Sequence, residues 1–115
     1  MSNIIKRIIK RPKNNNTPDV EFKYTGNVES IPDKDNVTHI RFHHSVDEVQ
    51  DKAFHDYYKL KKVVLNEGVK KIGKSAFSCC GLLESITLPS TIVEIEEGAF
   101  YSCRSLGKIV LNDMV

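Results

Sequence analysis

The stretch SAFSCCGLL, residues 75 to 83, sets two cysteines side by side, and its reading decides between a reactive site and a packed core. Laid on GAFYSCRSL, residues 98 to 106, it matches Ala76-Phe77 to Ala99-Phe100, Cys80 to Cys103 and Leu83 to Leu106, each pair 23 residues apart. The same step backwards reaches Ala53-Phe54 and Leu60 in KAFHDYYKL, residues 52 to 60. A fixed period of this length is the signature of stacked repeats, and it organises every other reading of the chain.

Further columns keep the register: Val46, Val69 and Ile92; Val49, Ile72 and Ile95; Ile40, Val63, Ile86 and Ile109; Phe42, Leu65, Leu88 and Leu111. Between these apolar columns the residues vary among Lys, Glu, Asp, Ser, Thr and His, as solvent-facing positions do. KKVVL, ESITL and GKIVL alternate apolar and polar residues with the period of a half-buried strand. A turn follows (NEGV or PSTI), then a second short extended piece (VKKIG or IVEIE). After it, Ala-Phe and Cys stand at a helical spacing that predicts one or two short helical turns. One such unit buries too few side chains to offset the ordering of its backbone, so the copies must stack into a solenoid with a continuous core. The expected fold is therefore an α/β repeat solenoid, strand-rich with short helical turns.

The units, in the form Ile-Gly-x-x-Ala-Phe-x-x-Cys-x-x-Leu-x-x-Ile-x-Leu-Pro and best seen in IGKSAFSCCGLLESITLP (residues 72 to 89), resemble the BspA-type leucine-rich repeats. The resemblance covers about residues 38 to 115, and the block from Glu21 to Val46 is similar to the lead-in found ahead of such repeats in single-celled eukaryotes. It implies a ligand-binding or adhesive scaffold, since the family includes bacterial surface adhesins, and it implies no catalysis. The chain departs from the pattern at Tyr57 in the cysteine column, at Asn66 and Asn112 in the proline column, and at Glu96 in a glycine column.

Three segments follow: a basic flexible segment over 1–19, a capping strand and loop over 20–37, and the repeat array, about three units and a partial one, over 38–115. VEFKYTG alternates Val20, Phe22 and Tyr24 against Glu21 and Lys23, and this strand is expected to cover the first core layer. In the basic segment, Ile4, Ile5, Ile8 and Ile9 share one side of a helical wheel with Lys6, Arg7, Lys10 and Arg11 around the rest. Such a short helix offers a weak anchor for an anionic membrane surface or nucleic acid, weighed against a disordered tail. Val115 falls on the Val46 column, so the array stops within a unit. The expectation is a fragment of a longer array or an open end that self-associates.

With 115 residues, a net charge of +2 and an ordinary share of apolar residues, the composition fits one soluble domain without a general nucleic-acid signal. The first residues lack a secretory core because Lys6 and Arg7 interrupt the isoleucines, so a cytoplasmic location with reduced thiols is expected, and an extracellular surface if the start is incomplete.

Cys79, Cys80 and Cys103 lack the paired spacing of a structural zinc site, and no histidine shares their columns to serve as a base, so no metal, cofactor or catalytic residue is assigned. Cys80 and Cys103 read as packed thiols, whereas Cys79 shares its column with Asp56 and Ser102 and keeps a weak claim to reactivity. His39, His43, His44 and His55 read as surface or turn residues. The structural positions are Phe54, Phe77 and Phe100, Leu60, Leu83 and Leu106, with the two column cysteines. The candidate binding face consists of the outward strand positions His39, Lys62, Ser85 and Lys108, beside Arg41, Val64, Thr87 and Val110, offered to a protein partner of unknown identity.

Overall fold

In the computed structural model, residues 6–9, 19–27 and 34–112 are described, the first four as backbone alone. Nine strands occur among them: β1 (Lys6–Ile9), β2 (Asp19–Tyr24), β3 (His39–Phe42), β4 (Glu48–Val49), β5 (Lys62–Val64), β6 (Lys71–Ile72), β7 (Ser85–Pro89), β8 (Glu94–Ile95) and β9 (Lys108–Asn112). The alternating strands of KKVVL type build a six-stranded sheet in the order β1-β2-β3-β5-β7-β9, and the second extended pieces build a three-stranded sheet in the order β4-β6-β8. The chain thus winds as a β-solenoid of about three turns.

The 23-residue period becomes register. Ile40 pairs with Val63, Val63 with Ile86 and Ile86 with Ile109, all in parallel. Val49, Ile72 and Ile95 form the matching column of the smaller sheet. Parallel in-register stacking puts each apolar column in line, so Ile40, Val63 and Ile86, Leu60 and Leu83, and Phe54 and Phe77 are buried in one core. Phe77 lies between Phe54 (centroids 5.4 Å apart, planes 11° apart) and Phe100 (5.7 Å, 3°), a continuous ring stack along the axis.

β2 continues this stack, in parallel with β3 through Phe22↔Ile40 and Tyr24↔Phe42, with both side chains buried. β1 then pairs antiparallel to β2. This corrects the helical reading of the basic segment: its described part, Lys6–Ile9, is a strand, because the edge of β2 supplies backbone partners that a lone two-turn helix in water lacks. Residues 1–5 and 10–18 of that segment, the loop over residues 28–33 and residues 113–115, Val115 among them, lie outside the described residues.

A second correction concerns the Ala-Phe segments. No helix occurs among the described residues, and residues 51–56 and 74–79 are successive tight turns. A helix would turn every N–H back into its own segment, whereas here alternate N–H groups point along the stack. Phe54 N donates to Ala76 O (2.7 Å) and Asp56 N to Ser78 O (2.8 Å), while Ala53 N and His55 N close local turns on Gln50 O and Lys52 O. The next copy repeats this with Phe77 N to Ala99 O (2.8 Å) and Cys79 N to Tyr101 O (2.7 Å). The reversals need left-handed backbone at two columns: Lys52, Ser75 and Gly98 (φ 59°, 56°, 69°), and Asp56, Cys79 and Ser102 (66°, 64°, 62°). Only glycine enters that region without cost, and Gly98 alone takes that advantage. Local turns closing three residues back mimic one helical turn in their apolar spacing, which is why the sequence pattern suggested helix.

Candidate functional site

The column cysteines serve the fold. Cys80 is fully buried and its Sγ donates to Phe54 O (3.2 Å); Cys103 Sγ donates to Phe77 O (3.1 Å). Each thiol therefore caps the carbonyl of the stacked phenylalanine one turn back. Burial pushes the Cys80 thiol up from 9.0 to about 12, and burial likewise raises Cys103, so neither is poised as a thiolate. Cys79 is half-buried and takes left-handed backbone, as Asp56 and Ser102 do in the same column. All three thiols are free, and among the described residues no group of three or more His, Cys, Asp or Glu is placed to hold a metal ion.

The histidines are spread over turns and the sheet face. His43 and His44 lie with ring centroids 4.0 Å apart and planes tilted by 33° after β3, His43 Nδ1 is 2.7 Å from Ser45 Oγ, and His39 Nδ1 lies 2.9 Å from Thr38 Oγ1. His43 is held below its ordinary pKa by desolvation, then by His44 and Lys23. His55 Nδ1 reaches Ser78 Oγ at 2.5 Å across one turn of the solenoid. Ser78 is buried, although its column reads as variable in the sequence.

The outward positions of the larger sheet do come together. His39, Lys62, Ser85 and Lys108 are register partners in one ladder, and Arg41, Val64, Thr87 and Val110 in the next. Arg41, Lys62 and Lys108 are exposed; His39, Val64, Ser85, Thr87 and Val110 are half-buried. At the β2 end, Glu21 Oε2 lies 3.6 Å from the Arg41 guanidinium. Across β5, β7 and β9 neither ladder carries a carboxylate, and among the described residues none pairs with Lys62 or Lys108.

Sequence reasoning missed one feature. A cavity of about 290 Å³ opens at the starting end of β2 and β3, with Val20 and Leu82 supplying apolar wall and Asp19, Thr38, Lys59 and Lys61 polar groups. Thr38 is its organiser: its hydroxyl accepts from Val20 N (2.7 Å) and faces Val20 O (3.1 Å). Thr38 and Lys61, like Lys59 and Leu82, stand one period apart, but their columns are not apolar, so the core pattern does not mark them.

Among solved structures, a leucine rich repeat protein of T. pallidum is 30% identical with a TM-score of 0.63, over 80% of this chain and 42% of its own. A leucine rich cell surface protein of Faecalibacterium prausnitzii shares the fold at 18% identity with a TM-score of 0.62, over 99% of this chain and 39% of its own. The chain thus spans about two fifths of the length of these solved proteins. No curated protein matches the chain. Among the described residues, no helix is long and apolar enough to cross a membrane. The family model for the BspA type leucine rich repeat region, six copies, matches residues 15–115, reaching further towards the N-terminus than the units legible by eye. With the turn period, the parallel register and this match in agreement, the chain belongs to the BspA-type leucine rich repeat family.

Proposed function

We propose that the chain is a non-catalytic scaffold that binds a protein partner through the outward ladders of the larger sheet. The carrying observation is the in-register face of His39, Lys62, Ser85 and Lys108 beside Arg41, Val64, Thr87 and Val110, a surface of cations flanking small half-buried side chains. Stacked repeats present such extended faces to partners. The column thiols, Cys80 buried and Cys103 half-buried and both raised in pKa by desolvation, favour a structural role over a nucleophilic one. An adhesive role accords with the cell surface protein that shares the fold.

The test is selection of binders from a displayed library of protein fragments against the immobilised 115-residue chain. Binders lost on Lys62→Glu with Val64→Arg, and kept on Lys70→Glu with Lys74→Glu, support the face; binders indifferent to the first pair refute it.

A second reading has its own observation. Ile95, Ile109 (55% exposed) and Leu111 (68% exposed) are core-column residues left open at β8 and β9, a surface that a second copy would cover. Sedimentation velocity across a concentration series tests it, and a constant monomer refutes it.

A further inference from the structure

We propose that the ladder's partner is an acidic linear segment in polyproline II conformation, running along the solenoid axis with a carboxylate at every third residue. This rests on the ladder being the binding face and adds the chemistry of its ligand. Three features of the sheet point to it.

The first is charge. On β5, β7 and β9 the ladders hold Lys62 and Lys108 and no carboxylate, while Arg41 faces Glu21 at the other end of the sheet. Lys23, the register partner of Arg41, adds a further cation at that end, so the face is positive overall, and on β5, β7 and β9 it offers anions lysines with no carboxylate in the ladders.

The second is direction. Lys62, Ser85 and Lys108 form one line across the strands, and Val64, Thr87 and Val110 form a parallel line two residues along each strand. Two residues of strand separate the lines by about 6.6 Å. One extended chain laid along the axis can meet both lines, its carboxylates on the lysines and its apolar atoms on the half-buried Val64, Thr87 and Val110.

The third is pitch. Lys62 and Lys108 are two sheet spacings apart, about 9.6 Å. A polyproline II helix returns to the same side every third residue, about 9.3 Å along its axis. A β-strand returns after about 6.6 Å or about 13 Å, and an α-helix after about 10.5 Å at seven residues. The polyproline II repeat is the nearest match, and it enters the complex with its backbone already ordered, which lowers the entropic cost of binding.

The experiment measures fluorescence anisotropy with the 115-residue chain and labelled peptides of about five Glu-Pro-Pro repeats. The comparison probes are a peptide of identical composition with the glutamates clustered, and a single-stranded oligonucleotide of equal charge. The expected result is binding of the regular peptide about tenfold tighter than the clustered one, weakened about tenfold by Lys62→Glu with Lys108→Glu, the scale of two exposed ion pairs turned into like-charge contacts. Lys70→Glu with Lys74→Glu, on the turn and the segment flanking β6, should leave it unchanged. Equal binding of the two peptides, indifference to the Lys62 and Lys108 reversal, tighter binding of the oligonucleotide, or no binding of the regular peptide would each overturn the proposal. Library binders that map to the ladder without being acidic overturn it while sparing the face, whereas binders that ignore the ladder overturn both.

Discussion

Phe77→Ala tests the stack at its centre. The ring is 0% exposed and lies nearly parallel to a neighbour on either side, at 5.4 and 5.7 Å. Removing a buried phenylalanine ring costs about 3 to 5 kcal/mol in lost transfer energy and cavity. Two ring pairs, each worth about 0.5 to 1.5 kcal/mol beyond buried area, place this site near the top of that range, about 5 kcal/mol. Phe100 is half-buried and stacks on Phe77 alone among the described residues, so Phe100→Ala should cost about half as much. A domain of this size holds only about 5 to 15 kcal/mol in total, so urea midpoints followed by far-ultraviolet circular dichroism at low temperature suit the comparison. Phe77→Leu, costing roughly 1 to 2 kcal/mol, keeps the series measurable if the alanine variant does not fold. A Phe77→Ala loss no larger than that of Phe100→Ala would show that the rings do not form the continuous column described.

Cys80 predicts a pH effect. Its thiol titrates near 12 when folded against 9.0 when exposed, so its contribution is complete below pH 9 and is lost as pH rises towards 12. Three units correspond to about 4 kcal/mol. Raised values for Cys103 and Tyr24 act in the same direction, and Cys80→Ser should flatten the decline in urea midpoint between pH 8 and 11, an unchanged slope counting against it. Tyr24→Phe should stabilise by about 1 kcal/mol in thermal melts, because the Tyr24 hydroxyl is buried with no hydrogen-bond partner among the described residues; a loss of stability would reveal one. Lys52→Gly, at φ 59° in the column that holds Gly98, should also raise the melting temperature, by relief of about 1 kcal/mol of left-handed strain. Gly73→Ala should cost about 1 to 3 kcal/mol, since its Cβ would meet Val49 O and Asp51 N at 2.8 Å; a neutral result would mean that the turns can part at no cost.

Which side chains face inward was legible from the period alone. Phe54, Leu60, Val63, Ile72, Phe77, Leu83 and Ile86 are all 0% exposed, and each stands in a column read from the sequence. The register of the ladder residues was legible too, as the outward positions that alternate with those columns along β3, β5, β7 and β9. Ser78 was not, because its column holds the exposed His55 and Tyr101; its buried hydroxyl is satisfied by His55 across the stack and by Ser75 O.

The sequence by itself determined the repeat, its length, the core columns and the family, because an apolar side chain needs burial wherever its neighbours lie and a repeated pattern of burial admits few shapes. The tertiary structure decided how the backbone satisfies itself. Residues 51–56 and 74–79 turn rather than coil because their N–H groups find acceptors on the next turn, as Phe54 N does on Ala76 O. Lys6–Ile9 is a strand because β2 offers an edge. The adjacent cysteines divide in the same way: Cys80 caps Phe54 O from its column, while Cys79 occupies a left-handed turn position. Hydrogen-bond direction depends on a partner on another strand or turn, from Ile9 and Asp19 to Phe54 and Ala76, and no local spacing of side chains encodes it.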